Sequence, residues 1–322
     1  MLRWMLLKVA GNEAVAGFAR DSAAIGKVVE RYVAGESLEA GIAAARALAA
    51  QGMDLTIDHV GELVDSMQHA EQAAEAYRQL LDRIQDEGLA AGVSVKPTQL
   101  GLLIDPDGCA ELLLDLAKRA AAAGVHVTLD MEDHSVTEAT IEMVERAHEA
   151  GATNVGCALQ SYLHRTPEDV RRLTRLGASI RLCKGAYAEP AHLAHQRDVE
   201  VARAYLDDAR YLLREGTEPR FATHDHRLVA AIKREAAILG RDRSSYEFQM
   251  LYGVRSDMQR ALVDDGYRLR LYLPYGTEWY AYFTRRLAER PANLMLFARS
   301  LLSARRDATS MPPSQTTSDR TW

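Results

Sequence analysis

Cysteine is scarce: three residues in 322, Cys109, Cys157 and Cys183. They lie far apart in apolar surroundings, with neither the spacing of a metal ligand set nor that of a redox pair. They read as small core residues of a reducing compartment. Positive charge is also short. The 39 lysines and arginines face 45 acids, for a formal net charge of −6, and no basic stripe is interleaved with aromatics, which argues against a nucleic-acid surface. No apolar run approaches the roughly 20 residues that cross a bilayer. The first ten residues carry Arg3 with Leu2, Met5, Leu6 and Val9, which fit a helix; they lack the apolar stretch and cleavage site of a signal peptide. No Gly-rich fingerprint follows the first strand signal, which argues against an open, doubly wound dinucleotide-binding sheet.

What is present is a soluble composition, 48% hydrophobic and 26% charged. Two Ala-rich stretches of helical period, 13–33 and 37–51, are joined at Gly35 and precede any strand signal. A unit then repeats: a short β-branched or apolar run, a polar end, a loop and an amphipathic helix. The strands fall at 55–59, 93–97, 125–131, 154–159, 179–183, 220–223, 246–251 and 268–273. Helices follow, for example at 65–87, 108–123, 137–150, 198–215, 227–239 and 256–265. Gly88, Gly124, Gly151, Gly177, Gly216, Gly240 and Gly266 stand where a left-handed residue ends a helix. About eight such units predict an α/β fold, a distorted (βα)8 TIM barrel with extra N-terminal helices. The expected layout is N-terminal helices over 1–53, a catalytic barrel over 54–302 and a disordered tail over 303–322, where Ser, Thr, Pro and charge show no period.

In such barrels function sits at the carboxyl ends of the strands, while inward residues lower down form a layered core. Those ends are polar: His59 and Glu62, Lys96 and Gln99, Asp130 with Glu132 and Asp133, Gln160 near Tyr162, then Arg181, Lys184 and Tyr187. The later strands add His224, Asp225 and His226, then Gln249, then Tyr272 and Tyr275. Burying charge there is costly unless it is paired or binds something. After the last strand, Pro274 and Gly276 are read as breaking the strand, and Thr277 as capping a helix that Pro291 stops. On that helix Tyr282, Arg285, Arg286 and Glu289 share one face at i, i+3, i+4 and i+7.

Each feature has a plainer reading. The arginine face could be a solvated salt-bridge surface, and Asp133 and His134 are best read as a helix cap. His224 and His226 could bind a metal, but on one strand they would point to opposite faces, and no third ligand has telling spacing. Lys96 or Lys184 could be a Schiff-base nucleophile, as in an aldolase. Two lysines with Arg181, Arg285 and Arg286 look more like a set for a small carboxylate and a phosphate-bearing cofactor, walled by Leu251, Tyr272, Tyr275 and Tyr282. A non-catalytic barrel that senses such a carboxylate is the third reading.

Six stretches in collinear order carry a resemblance. They are Ser94-Val95-Lys96-Pro97, Leu129-Asp130-Met131-Glu132-Asp133, Arg181-Leu182-Cys183-Lys184-Gly185-Ala186-Tyr187, Phe221-Ala222-Thr223-His224-Asp225, Glu247-Phe248-Gln249-Met250-Leu251-Tyr252-Gly253, and the segment from Tyr272 to Pro291. Together, over about 55–302, they resemble the proline dehydrogenase family, in particular its short bacterial monofunctional form. The resemblance implies FAD-dependent oxidation of L-proline to 1-pyrroline-5-carboxylate. Electrons would pass to quinone, with the protein in the cytoplasm and in peripheral contact with the inner membrane. It implies that Lys96, Arg285 and Arg286 bind the substrate carboxylate. Leu251, Tyr272 and Tyr282 would pack on the ring, with Asp130 and Tyr187 in the same pocket. Gln160, Arg181, Lys184, Gly185, Ala186, His224 and Glu289 would contact FAD, and Glu62 would pair with Arg285 as a gate. Two features depart from the family pattern: Asp225 stands where asparagine is common, and residues 189–197 match it poorly.

Overall fold

A computed structural model describes residues 29–61, 63–280 and 282. Its main unit, Val33–Thr277, is a closed barrel of eight parallel strands in sequence order. The strands are β1 (Asp54–His59), β2 (Ala91–Val95), β3 (Val127–Leu129), β4 (Val155–Gln160), β5 (Ile180–Cys183), β6 (Arg220–Ala222), β7 (Glu247–Leu251) and β8 (Arg268–Tyr275). β8 closes the ring on β1, in register from Asp54↔Arg270 to His59↔Tyr275. Helix α1 (Leu38–Ala49) precedes β1. The helices between strands are α2 (Met67–Asp86), α3 (Pro106–Ala122), α4 (His134–Glu149), α5 (Thr166–Leu176), α6 (Asp198–Glu215), α7 (His226–Ile238) and α8 (Ser256–Asp264). In the second unit, the described residues are 29–32, 278–280 and 282, of which Val29, Trp279, Tyr280 and Tyr282 are helical. Most of the expected helix at 13–33, and all of the 303–322 tail, lie outside the described residues.

Local chemistry starts and stops these helices where the strand ends need them. Ser37, Ser66, Asp105, Asp133 and Asp225 cap α1, α2, α3, α4 and α7, each side-chain oxygen accepting a backbone N–H of the first turn. Asp133 is therefore the cap that the sequence suggests. Six of the seven glycines expected to end helices have positive φ. Gly216 does not: at φ −76 it leaves α6 in an extended conformation. Helix α1 lies close to β8, because a Cβ on Gly41 would sit 2.9 Å from the Tyr275 ring.

Alternate strand residues do different work. Leu55, Ile57, Val93, Val95, Val127, Leu129, Ile180, Leu182, Phe221, Phe248, Leu269 and Leu271 are buried in the main hydrophobic cluster with α2–α8. Each such apolar burial stabilises by roughly 1.5–3 kcal/mol. The intervening residues face the lumen, as bonds across the barrel show: Arg181 Nη1 on β5 reaches Asp130 at 2.6 Å and Ser94 on β2 at 3.1 Å. The inward-facing residues are thus largely polar and held by hydrogen bonds and ion pairs to one another. Low in the lumen, Glu247 accepts from Arg270 Nε at 2.8 Å and Gln249 Nε2 at 2.6 Å, with Arg268 at 3.3 Å and Arg220 at 3.7 Å. Burial works to raise the Glu247 carboxyl, but the Arg270 and Arg220 charges overcome it and hold it down at about 2.

Two further readings change. Pro274 does not end β8, which runs to Tyr275. Pairing with β7 stops at Leu251↔Tyr272, and the Pro274 carbonyl, on that same side, accepts Ala34 N at 2.8 Å. The missing N–H of Pro274 therefore falls where no strand needs it. Helical residues begin at Trp279, so Glu278, not Thr277, is the flanking residue.

Candidate active site

At the carboxyl end of the lumen the polar strand ends converge on Asp130, just beyond β3. Its Oδ1 accepts Ser94 Oγ at 2.7 Å and Arg181 Nη1 at 2.6 Å, and its Oδ2 accepts the Tyr272 hydroxyl at 2.6 Å. The Arg181 guanidinium also stands 5.3 Å from the centroid of the Tyr272 ring. Burial, then the Asp130 and Asp58 charges, push the Tyr272 phenol well above its usual range, so it is a fixed donor. Asp130, just after β3, Arg181 on β5 and Tyr272 on β8 thus form one hydrogen-bonded cluster.

Two cations at this end keep donors that nothing in the described protein uses. Arg181 is 4% exposed, yet its Nε and Nη2 are buried without a hydrogen-bond partner among the described residues. Lys96 follows β2 and is 8% exposed; its Nζ has Asp58 Oδ1 at 3.7 Å, outside hydrogen-bond range. Buried cations left in this state are costly unless an acceptor group completes them.

The neighbouring loops are tied together by hydrogen bonds and ion pairs of their own. Gln160 donates to Glu132 O at 2.7 Å and accepts Ala186 N at 3.3 Å, which ties β4 to the loop after β5. In that loop Gly185 has φ +108, and a Cβ there would lie 2.2 Å from the Tyr162 ring, so only glycine fits. Lys184 pairs with Asp225 at 2.8 Å, and Asp225 also caps α7. His224 Nε2 accepts Leu251 N at 2.9 Å and so locks the end of β6 to β7. Strand β6 stops at Ala222 and His226 opens α7, so the two histidines do not share a strand. Tyr187 lies half-buried in the Gly185 loop and Ala186 is exposed. Residues 189–197 are anchored at Glu189, which is 9% exposed, accepts His134 N at 2.9 Å and faces His134 Nδ1 at 2.5 Å.

Some expectations fall elsewhere. Tyr275 does not wall the lumen; its ring packs on α1 over Gly41. Cys109 and Cys157 are core residues, whereas Cys183 is only partly buried, at the end of β5. Tyr282 is helical and 7% exposed in the second unit. Glu62, Arg285, Arg286 and Glu289 lie outside the described residues. Sequence reasoning overlooked Asp58, at 0% exposure, and the hydroxyl of Tyr77, which donates to Ser94 O at 2.8 Å. Glu132, one of the polar strand-end residues, accepts Thr98 N at 3.3 Å and Thr98 Oγ1 at 2.7 Å. The polar alternation Asp54, Thr56, Asp58 along β1 was the available signal for Asp58. A cavity of about 440 Å³ opens between α5 and α6, lined by Arg171, Arg203, Asp208 and Tyr211 among others. It shares no lining residue with the lumen cluster.

Comparison with known proteins agrees with this geometry. The proline dehydrogenase family model matches residues 42–298, and the chain belongs to that family. It is 38% identical over 307 residues to the proline dehydrogenase of Deinococcus radiodurans, covering 94% of this chain and 98% of that one. It is 38% identical over 264 residues to proline dehydrogenase 2 of Bacillus subtilis, covering 82% and 87%. Among solved structures it resembles proline utilization A of Bdellovibrio bacteriovorus, crystallised after inactivation by N-propargylglycine. The TM-score is 0.77 at 27% identity, covering 82% of this chain and 32% of that one, so this chain spans about a third of that protein.

Proposed function

We propose that this chain is an FAD-dependent proline dehydrogenase, which oxidises L-proline to 1-pyrroline-5-carboxylate and delivers the electrons to a quinone. The observation that carries the reading is the pair of buried cations, Lys96 and Arg181, whose unused donors point to two acceptor groups at one end of the lumen. The Arg181 Nε and Nη2 donors suit the acceptor-rich edge of an isoalloxazine, and the exposed end of Lys184 suits a phosphate. FAD, when bound, supplies the hydride acceptor.

The residues then have distinct tasks. Lys96, with Arg285 and Arg286, grips the proline carboxylate, and Leu251, Tyr272 and Tyr282 pack on its ring beside Tyr187. That fixes which ring carbon faces the acceptor, and such orientation supplies much of the rate. Asp130 holds Tyr272 and Arg181 in place and is too fully bonded to move. Gln160, Arg181, Lys184, Gly185, Ala186, His224 and Glu289 hold the cofactor, and Glu62 closes on Arg285 as a gate. The ring carbon next to nitrogen gives up a hydride and the nitrogen a proton, which leaves the C=N bond of the product. Only the unprotonated amine can do this, so activity rises with pH. Among the described residues no helix is long and apolar enough to cross a membrane. Electron delivery to quinone would take place at peripheral contact with the inner membrane, from the cytoplasm, as the family resemblance implies.

The Schiff-base alternative is less well supported. Lys184 and Lys96 each stand beside a carboxylate, Asp225 and Asp58, whereas a nucleophilic lysine must shed its charge. The test is direct. The purified protein should be yellow and should bleach anaerobically on addition of L-proline. A colourless protein with a borohydride-trapped lysine adduct would reverse the assignment, and binding without bleaching would leave a sensor barrel.

A further inference from the structure

Asp58, the penultimate residue of β1, lies inside the barrel at 0% exposure, yet it is poorly satisfied. Its Oδ2 is buried and has no hydrogen-bond partner among the described residues. Its Oδ1 lies 3.3 Å from the Tyr77 hydroxyl, but that hydroxyl has one proton, and its closest acceptor is Ser94 O at 2.8 Å. Asp130 makes the contrast: three donors at 2.6–2.7 Å saturate it. A structural carboxylate in this position would be expected to resemble Asp130, since an under-bonded buried charge costs several kcal/mol. The one cation near Asp58 among the described residues is Lys96, 3.7 Å away and itself short of partners.

We propose that Asp58 is a positioning residue: it is the buried counter-ion that holds the Lys96 ammonium at the lumen mouth, oriented toward the substrate carboxylate. This rests on the reading of Lys96 as a carboxylate-binding group. The looseness of the contact is part of the role. A lysine in close contact with its carboxylate would already be neutralised, whereas one held at 3.7 Å keeps its three donors for an incoming anion. Tyr77 anchors the arrangement from α2, because its hydroxyl, beside Asp58, donates to Ser94 O on β2.

The experiment uses the full-length holoprotein and two probes, L-proline as substrate and cyclopentanecarboxylate, a ring acid without an amine, as competitive inhibitor. Asp58→Asn keeps the shape and removes the charge. The expected result is a rise of about 30-fold or more in both KM for proline and Ki for cyclopentanecarboxylate, with kcat falling by less. In a Lys96→Met background the same change should have almost no further effect, because the two residues act as one unit. Proline binding weakened without cyclopentanecarboxylate would place Asp58 on the amine instead and overturn the proposal. So would a full additive effect on top of Lys96→Met, or no effect at all. If Asp58→Asn alone does not fold, the double variant, which leaves neither charge buried alone, should fold and match Lys96→Met; its failure to do so overturns the role. An unmodified protein that neither bleaches with proline nor oxidises it refutes the broader function, a result distinct from any of these.

Discussion

Replacing Glu247 by glutamine removes one negative charge from the base of the lumen and little else. The carboxylate is 2% exposed and sits among Arg270 at 2.8 Å, Arg268 at 3.3 Å and Arg220 at 3.7 Å. Its carboxyl is held at about 2 against a usual 4.5, which corresponds to about 3 kcal/mol of stability at neutral pH. The sign follows from the direction of that shift. A carboxyl lowered by folding stabilises above its unfolded value and loses the contribution as pH falls toward its folded value. Glu247→Gln should therefore destabilise by about 3 kcal/mol at pH 7, and by about 2 kcal/mol at pH 3.5. Urea denaturation followed by far-ultraviolet circular dichroism at both pH values reads the difference directly. A gap that stays the same at pH 3.5, or one below about 1 kcal/mol at pH 7, would mean that the arginine cluster does not depend on this charge.

Three other perturbations probe separate parts of the barrel. Asp208 on α6 is 3% exposed, and burial, only partly opposed by the Ser161 hydroxyl, pushes its carboxyl up to about 7. Folding thus takes up a proton there, so stability is lost as pH rises from about 4 to 7; Asp208→Asn should raise Tm at pH 8 by about 5 °C or more and much less at pH 4.5. Gly185→Ala forces a side chain into a left-handed position against the Tyr162 ring. It should cost about 1–3 kcal/mol and lower the flavin-to-protein absorbance ratio. Lys184→Ala should weaken FAD retention about tenfold in dialysis against apoprotein, while leaving Tm of the apoprotein almost unchanged.

Much of this architecture is legible in the sequence because two periods alternate cleanly. Strand ends such as Lys96 and Asp130 announce themselves as charges at the close of apolar runs. Boundaries were less legible. β3 is only three residues long, against seven expected, because its flanks are held by loop hydrogen bonds rather than by ladder pairing. Helix α5 carries few apolar residues beyond Val170, Leu173 and Leu176, and ion pairs such as Arg165 with Asp169 and Arg172 with Glu145 add to their packing. The ionic lumen was hidden for a different reason. Asp54, Glu247 and Arg270 alternate with aliphatics just as solvent-facing strand residues do, and only closure of the ring decides that they are inside. Asp58 was missed on the same ground.

The separation of roles along each strand has an evolutionary consequence. Side chains of one parity mortar the wall to its helices, and those of the other parity furnish the room. Inward positions can therefore be exchanged as charge-balanced sets, altering what the chamber admits, while the masonry behind them is left standing. A lineage that starts from such a barrel can drift between related ring acids without first having to rebuild its shell.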